Sequence, residues 1–137
     1  MLKPRSWAVL SITGDFSPDE ISNDLNISPD YTQDKNVYLK KNGFWQIHSK
    51  LSAERSLEEH LWEILKKIAP VRLVFKKISA NFECVIYASV EFSDVDISGI
   101  SLSPRILTLL GNLGVGFELN PWLNDKLQSH SELNNTT

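Results

Sequence analysis

A strict alternation of apolar and polar residues over positions 82–92 is the feature that most limits how this chain can fold. Every second residue is apolar, beginning with Phe82 and ending with Phe92. The positions between them are mostly polar and include Glu83 and Glu91. Because successive side chains of a strand point to opposite faces, this pattern predicts a strand with one face in a core and the other in water.

Four further strands and three helices are predicted around this segment. Strand-forming residues mark the strands, at positions 6–13, 44–49, 71–78 and 115–119. Apolar residues at helical spacing mark the helices, at positions 17–26, 56–69 and 103–111. Ser79-Ala80-Asn81 is interpreted as a hairpin turn. The element order β-α-β-α-β-β-α-β predicts an α+β fold with helices packed on one face of an antiparallel or mixed sheet.

A chain of 137 residues has room for one domain, which we place at residues 1–123. Residues 124–137 are polar and lack an apolar period, so they are predicted to form a flexible tail. Residues 29–42 are polar and irregular as well, which predicts a long loop suited to sequence variation or binding.

Two segments share a helix-start pattern. FSPDEISNDLNI and LSPRILTLLGNLGV each begin with an apolar residue followed by Ser-Pro, and each follows a predicted strand or loop. Two interpretations are open: a pseudo-duplicated β-α-β unit of ferredoxin-like flavour, or two independent Ser-Pro helix starts.

The stretch ITGDFSPDEISNDL crowds four carboxylates around a glycine and a proline. Helix-start chemistry accounts for most of it. Ser17 is a suitable N-cap, and Glu20 three residues later completes a capping box. Phe16 and Ile21 flank the cap as a hydrophobic staple. We therefore predict a helix start rather than a metal site, which would need further oxygen ligands.

Charge and hydropathy argue against two classes of partner. With a net charge of -3, the chain is unlike the basic proteins that neutralise nucleic-acid phosphates. No segment approaches the ~20 apolar residues that cross a bilayer, and the apolar run 7–12 is too short for the core of a signal peptide. We expect a cytoplasmic protein with neither a nucleic-acid nor a membrane partner.

No pattern typical of catalysis is present in the sequence. His48, His60 and His130 lack the spacing of a metal site, and Cys84, the single cysteine, falls on the apolar side of its strand. The glycine-rich GNLGVG follows a helix and precedes a strand, the reverse of a phosphate-binding loop, so a glycine C-cap is predicted there. We assign no catalytic residue, no metal and no cofactor.

Three apolar residues predict a surface for contact with a protein. Trp62 projects away from the apolar stripe of its helix, and the helix that carries Leu107 is apolar nearly all round. Trp122 completes the set, and the alternative is that loops or the tail cover all three. A small-molecule sensor would instead use the Gly111 to Gly116 turn or the polar sheet face, with the residues Thr13, Gln46, His48, Arg72 and Tyr87.

Three segments carry a resemblance to a known family: LSITGDFSPDEISNDLNISPD, SLEEHLWEILKKI and LSPRILTLLGNLGVGFEL. In these, over roughly residues 7–119, the chain resembles the bacterial family catalogued as domain of unknown function 4279. The resemblance implies a small single-domain α+β protein and carries over no activity, cofactor or catalytic residue.

The leading functional hypothesis is a non-catalytic regulatory or immunity-type domain that binds another protein or a second copy of itself. A small-molecule-sensing regulatory domain is the alternative. An enzyme whose site is not visible in the sequence comes third.

Overall fold

The computed structural model describes residues 5–92 and 99–123, and these contain one five-stranded mixed sheet. The strands are β1 (Arg5–Gly14), β2 (Tyr31–Gln33), β3 (Gly43–His48), β4 (Glu83–Phe92) and β5 (Gly116–Leu123). Their order is β2-β3-β1-β4-β5, with β1 antiparallel to both of its neighbours and β5 parallel to β4 at one edge. The predicted tail 124–137 lies outside the described residues.

Four α-helices pack against one face of this sheet. They are α1 (Pro18–Leu25), α2 (Leu57–Ile68), α3 (Arg72–Asn81) and α4 (Pro104–Leu113), and the 3₁₀ turn Ala69–Val71 joins α2 to α3. Each helix contributes buried apolar side chains to a single core, and the predicted staple residues Phe16 and Ile21 are part of it. The α+β fold class with helices on one sheet face is thus confirmed.

Strand register explains why the core lies on only one side of the sheet. Leu10 of β1 pairs with Ile47 on one side and with Ile86 on the other, and all three are buried. The intervening residues form the opposite face, which we call the open sheet face. It carries the odd-numbered residues of β1 and β4 and the even-numbered residues of β3, most of them half-buried.

The prediction of a strand at 71–78 is wrong, because this segment is helical. Its β-branched and aromatic residues favour a strand locally, but Phe75 and Ile78 lie three residues apart and are both buried, which is a helical contact pattern. Pro70 lies in the 3₁₀ turn, where a proline at a helix start is well tolerated. The predicted hairpin turn at 79–81 is the last turn of α3.

The predicted capping box of α1 is also wrong. Ser17 occupies the N-cap position, but its side chain makes no capping hydrogen bond. The amide of Glu20 donates to the Ser17 carbonyl at 2.9 Å, so the donor expected for the hydroxyl is already used. At α4, by contrast, the Ser103 hydroxyl accepts from the amide of Ile106 at 3.3 Å, and the Ser103 amide donates to Glu58 Oε1 at 2.6 Å.

The two Ser-Pro segments begin α1 and α4 but do not belong to equivalent units. The strands β1 and β3 around α1 pair antiparallel, whereas β4 and β5 around α4 pair parallel. A duplicated unit would repeat its strand pairing, so the structure favours two independent helix starts. The short strand β2 also lies within the segment predicted as an irregular loop.

Candidate functional site

A groove of about 380 Å³ lies between α2, α3 and α4, and we call it the helical groove. Apolar side chains, which we call the apolar floor, line it together with basic side chains. The apolar lining residues are Trp62, Leu65, Ala69, Leu73, Leu109 and Leu113, and the basic ones are Lys66, Arg72, Lys76 and Arg105.

Helical spacing places these side chains side by side. Trp62 and Lys66 are four residues apart on a flank of α2, and Leu73 and Lys76 are three apart on α3. Arg105 begins the corresponding row on α4. Each helix buries a different stripe in the core, so these rows are left to line the groove.

The groove concentrates positive charge in an acidic chain. It holds four of the 14 lysines and arginines of a protein whose net charge is -3. The guanidinium carbon of Arg105 lies 5.1 Å from the centroid of the Trp62 ring, and Arg72 Nη1 donates to the carbonyl of Ala69 at 3.0 Å. Within residues 5–92 and 99–123, neither Lys66 nor Lys76 forms an ion pair with a carboxylate.

The three residues predicted to form one protein-contact surface lie on different parts of the molecule. Trp62 is half-buried and lines the helical groove. Leu107 is 53% exposed on α4 but does not line the groove. Trp122 is 46% exposed on β5, at the open sheet face, so the expected single surface is divided.

Four of the five residues predicted for a ligand face do share the open sheet face. Thr13, Gln46, His48 and Tyr87 alternate in register with the core residues of their strands. Arg72 was expected there because residues 71–78 were predicted as a strand. It begins α3 and lines the helical groove instead, so its placement was wrong.

The polar groups of the open sheet face bind one another. Gln46 Nε2 donates to the hydroxyl of Ser11 at 2.8 Å, and Gln46 Oε1 lies 3.1 Å from His48 Nε2. The side chains of Ser11, Gln46 and His48 are therefore engaged with one another. Ser11 is only 3% exposed, although it is on the side that the alternation predicts to be wet.

An aromatic and ionic cluster lies at the other end of the open sheet face. The rings of Trp7 and Trp122 stack with their centroids 6.2 Å apart, and the guanidinium carbon of Arg5 lies 5.2 Å from the Trp7 centroid. Arg5 Nη1 is 3.8 Å from Glu91 Oε2. These contacts explain why Glu91 is only 7% exposed although its position in β4 predicts a solvated side chain.

A family model described as a domain of unknown function (DUF4279) matches residues 4–124. The chain belongs to the DUF4279 family. No curated protein and no solved structure matches it.

The nucleophilic and basic groups inside this DUF4279 domain have structural contacts. Burial, together with the charge of Glu83, raises the pKa of the Cys84 thiol to about 12, so the thiol stays protonated at neutral pH. His60 is fully buried, with Nδ1 2.7 Å from the Ser49 hydroxyl and Nε2 3.1 Å from the Ser52 carbonyl. This arrangement fastens the loop before α2 to that helix.

The acidic stretch and the glycine-rich turn also have local explanations. Lys35 Nζ lies 3.4 Å from Asp15 in an exposed ion pair, and no group of three metal-ligating side chains occurs among the described residues. Gly114 has a positive φ of 75° and ends α4, as the predicted C-cap requires. None of the helices in the described ranges is long and apolar enough to cross a membrane.

Of the groove residues of this DUF4279 member, the sequence predicts a functional role for Trp62 and, on a different surface, for Arg72. The prediction of a strand at 71–78 gives Leu73 and Lys76 no common surface, because residues three apart in a strand lie on opposite faces. In the helix α3 they lie side by side and line one groove with α2. The spacing of Phe75 and Ile78 is the signal that favours a helix over this segment.

Proposed function

We propose that this DUF4279 member is a non-catalytic protein that recognises another protein through the helical groove. The observation that carries the proposal is an exposed apolar side chain, Leu73, beside further apolar groove residues and several cations. Leu73 at the groove is 70% exposed, and the half-buried side chains of Trp62 and Leu109 extend the apolar surface beside it. Contiguous apolar surface rimmed by polar groups is typical of protein interaction sites.

The titratable groups elsewhere support a binding role over a catalytic one. A catalytic nucleophile needs an accessible, activated group, whereas Cys84 is buried and its pKa is raised. His48 and His60 hydrogen-bond within the sheet and beneath it. We place the protein in the cytoplasm, where a buried single thiol is stable in its reduced form, and assign it a regulatory or immunity-type role.

Site-specific photo-crosslinking in the native cell tests the proposal. A photo-reactive phenylalanine analogue is introduced in place of Leu73 and, as a matched control, in place of Tyr38, which is 98% exposed and does not line the groove. We expect position 73 to capture a discrete protein that position 38 does not capture. Identical capture at both positions would contradict the groove as the recognition site.

Reconstitution with the purified partner completes the test. We expect the partner to bind the wild-type chain and the Tyr38→Asp variant equally well. The Leu73→Asp variant should bind at least about tenfold more weakly, since a charge at a central apolar contact removes a binding hot spot. Unchanged affinity for Leu73→Asp would overturn the proposal.

The size of the groove favours a second candidate, a small-molecule sensor. Its volume of about 380 Å³ falls within the range of about 300–1,000 Å³ that is common for ligand pockets. A sensor of this kind would hold its ligand in the helical groove rather than on the open sheet face. A metabolite that raises the melting temperature in a saturable way, and fails to do so with Leu73→Asp, would favour it over protein binding.

A further inference from the structure

We propose that the helical groove binds an amphipathic α-helix of the partner protein, one whose apolar stripe is flanked by acidic residues. This inference rests on the proposed function and names the chemistry of the segment that is recognised. Three observations carry it: the charge of the groove, the hydrogen-bonding groups that line it, and the helical elements that surround it.

Charge complementarity selects an acidic occupant. Four cations line the groove, and the lining includes no carboxylate. Lys66 and Lys76 stand beside the apolar floor without an ion pair to any described residue. Carboxylates on the flanks of a bound segment would reach these ammonium groups while its apolar residues contact the floor. A basic segment would be repelled by the same groups.

The lining groups select a helix rather than an extended segment. An extended peptide must find partners for its backbone N–H groups, and it commonly finds them on a free strand edge. The groove is formed by helices only, and lysine and arginine side chains donate hydrogen bonds but cannot accept them. Asn112 is the single lining side chain able to accept one, and the Ala69 carbonyl already accepts from Arg72.

A helix satisfies its own backbone and presents side chains at matching intervals. Residues at positions i, i+3, i+4 and i+7 would lie along the floor formed by Trp62, Leu73 and Leu109. The groove is concave, so it accommodates a rod-like segment better than the flat surface of an anionic membrane, the other partner that combines negative charge with apolar groups.

Selection from a display library of helical peptides tests the inference. The peptides have about 16 residues, with leucine fixed at i, i+3, i+4 and i+7 and every other position randomised. The full chain is the bait, and peptides that also bind the neutral variant Leu73→Gln are removed. We expect the enriched peptides to contain more aspartate and glutamate than lysine and arginine.

Purified peptides from this selection then separate charge from apolar contact. The Lys66→Glu/Lys76→Glu variant should bind them about tenfold or more weakly, and raising the salt from about 0.05 M to about 0.5 M should weaken wild-type binding in the same direction. When the Lys66→Glu/Lys76→Glu variant is used as the bait in place of the wild-type chain, the selection should enrich basic peptides. Circular dichroism checks that each variant is folded.

The possible failures point to different conclusions. Enriched peptides that depend on Leu73 but carry no acidic excess would overturn the acidic helix and leave the proposed function standing. No enrichment, with every recovered peptide lost in the step that removes binders of Leu73→Gln, would overturn the groove as a protein site and the proposed function with it. Leu73-dependent binding to phosphatidylserine vesicles, with no peptide enriched, would overturn both in favour of a membrane.

Discussion

The helical groove and the open sheet face lie on opposite sides of the molecule, and each combines tryptophan with polar groups. On the open sheet face several polar groups are paired: Ser11 with Gln46, and Arg5 with Glu91. In the helical groove, Lys66 and Lys76 have no such partner among the described residues, and Leu73 is largely exposed.

This difference shows that an exposed side chain is not necessarily available to bind a ligand. A side chain that already contacts its neighbours contributes to folding, and a ligand would have to replace those contacts before it gained anything. A side chain with no intramolecular partner contributes little to folding and can be used for binding. Substitutions on the open sheet face should therefore lower stability, whereas substitutions in the groove should lower affinity.

On the open sheet face, the largest effect on stability is expected from Trp7→Ala. The ring of Trp7 stacks on Trp122 and lies beneath Arg5, so its removal loses apolar burial and both aromatic contacts. We expect urea unfolding to show a loss of about 2 kcal/mol, less than for a fully buried tryptophan. A double-mutant cycle with Trp122→Ala should give a coupling of about 1 kcal/mol; additive effects would show that the stack is not a stabilising contact.

A smaller loss is expected from Ser11→Ala. The hydroxyl is buried and accepts a hydrogen bond from Gln46 Nε2, so its removal leaves that donor without its partner. We expect a loss of about 1 kcal/mol in the free energy of unfolding, measured with urea. The loss should shrink in a Gln46→Ala background. An equal loss in both backgrounds would mean that the hydrogen bond is not its cause.

The paired network was only partly predictable from the sequence. Alternation in residues 82–92 correctly gave the two faces of β4, because a period of two is independent of tertiary context. It placed Glu91 in water, since a sequence pattern does not reveal that Arg5 and Trp122 come from strands on either side. Four of the five residues proposed for this face were placed correctly for the same reason.

The groove was less predictable, because it depends on contacts between distant helices. The segment 71–78 is rich in β-branched and aromatic residues, so its local propensity favours a strand. In the folded protein it is a helix, because the helical conformation lets Phe75 and Ile78 pack together in the core. The same limit applies to Ser17 and Ser103. Both begin Ser-Pro helices, but only Ser103 has an amide partner for its hydroxyl, and Glu58 from α2 accepts its backbone N–H.

A pH-dependent contribution is expected at the edge of the sheet. Burial alone would raise the pKa of Asp30, but the Lys50 ammonium, 2.8 Å away, and the His48 amide outweigh it and hold that pKa below its ordinary value of 3.8. A carboxyl whose pKa is lower when folded stabilises the protein above the unfolded pKa and stops doing so as pH falls through the folded one. Asp30→Asn should therefore be less stable than wild type near neutral pH.

Urea unfolding of both proteins across acidic pH measures this contribution. We expect the stability difference between wild type and Asp30→Asn to be constant near neutrality and to disappear as the pH falls below 3.8. A difference that persists to the lowest pH at which the chain folds would assign the effect to lost hydrogen-bond geometry at His48 rather than to charge.

The smallest effects are expected in the helical groove, and they test the comparison most directly. Leu73→Gln and Lys76→Gln both keep good helix propensity, and neither removes a contact on which α3 depends, since Leu73 is 70% exposed and Lys76 has no ion pair with a described residue. We expect each to change the free energy of unfolding by less than about 0.5 kcal/mol.

Phe75→Ala on the same helix is the control. Its side chain is fully buried, so the substitution should cost about 3 kcal/mol and show that the measurement detects damage to α3. A loss above about 1 kcal/mol for Lys76→Gln would mean that the cation already serves the fold. In that case the helical groove would resemble the open sheet face, and its cations would not be available to a partner.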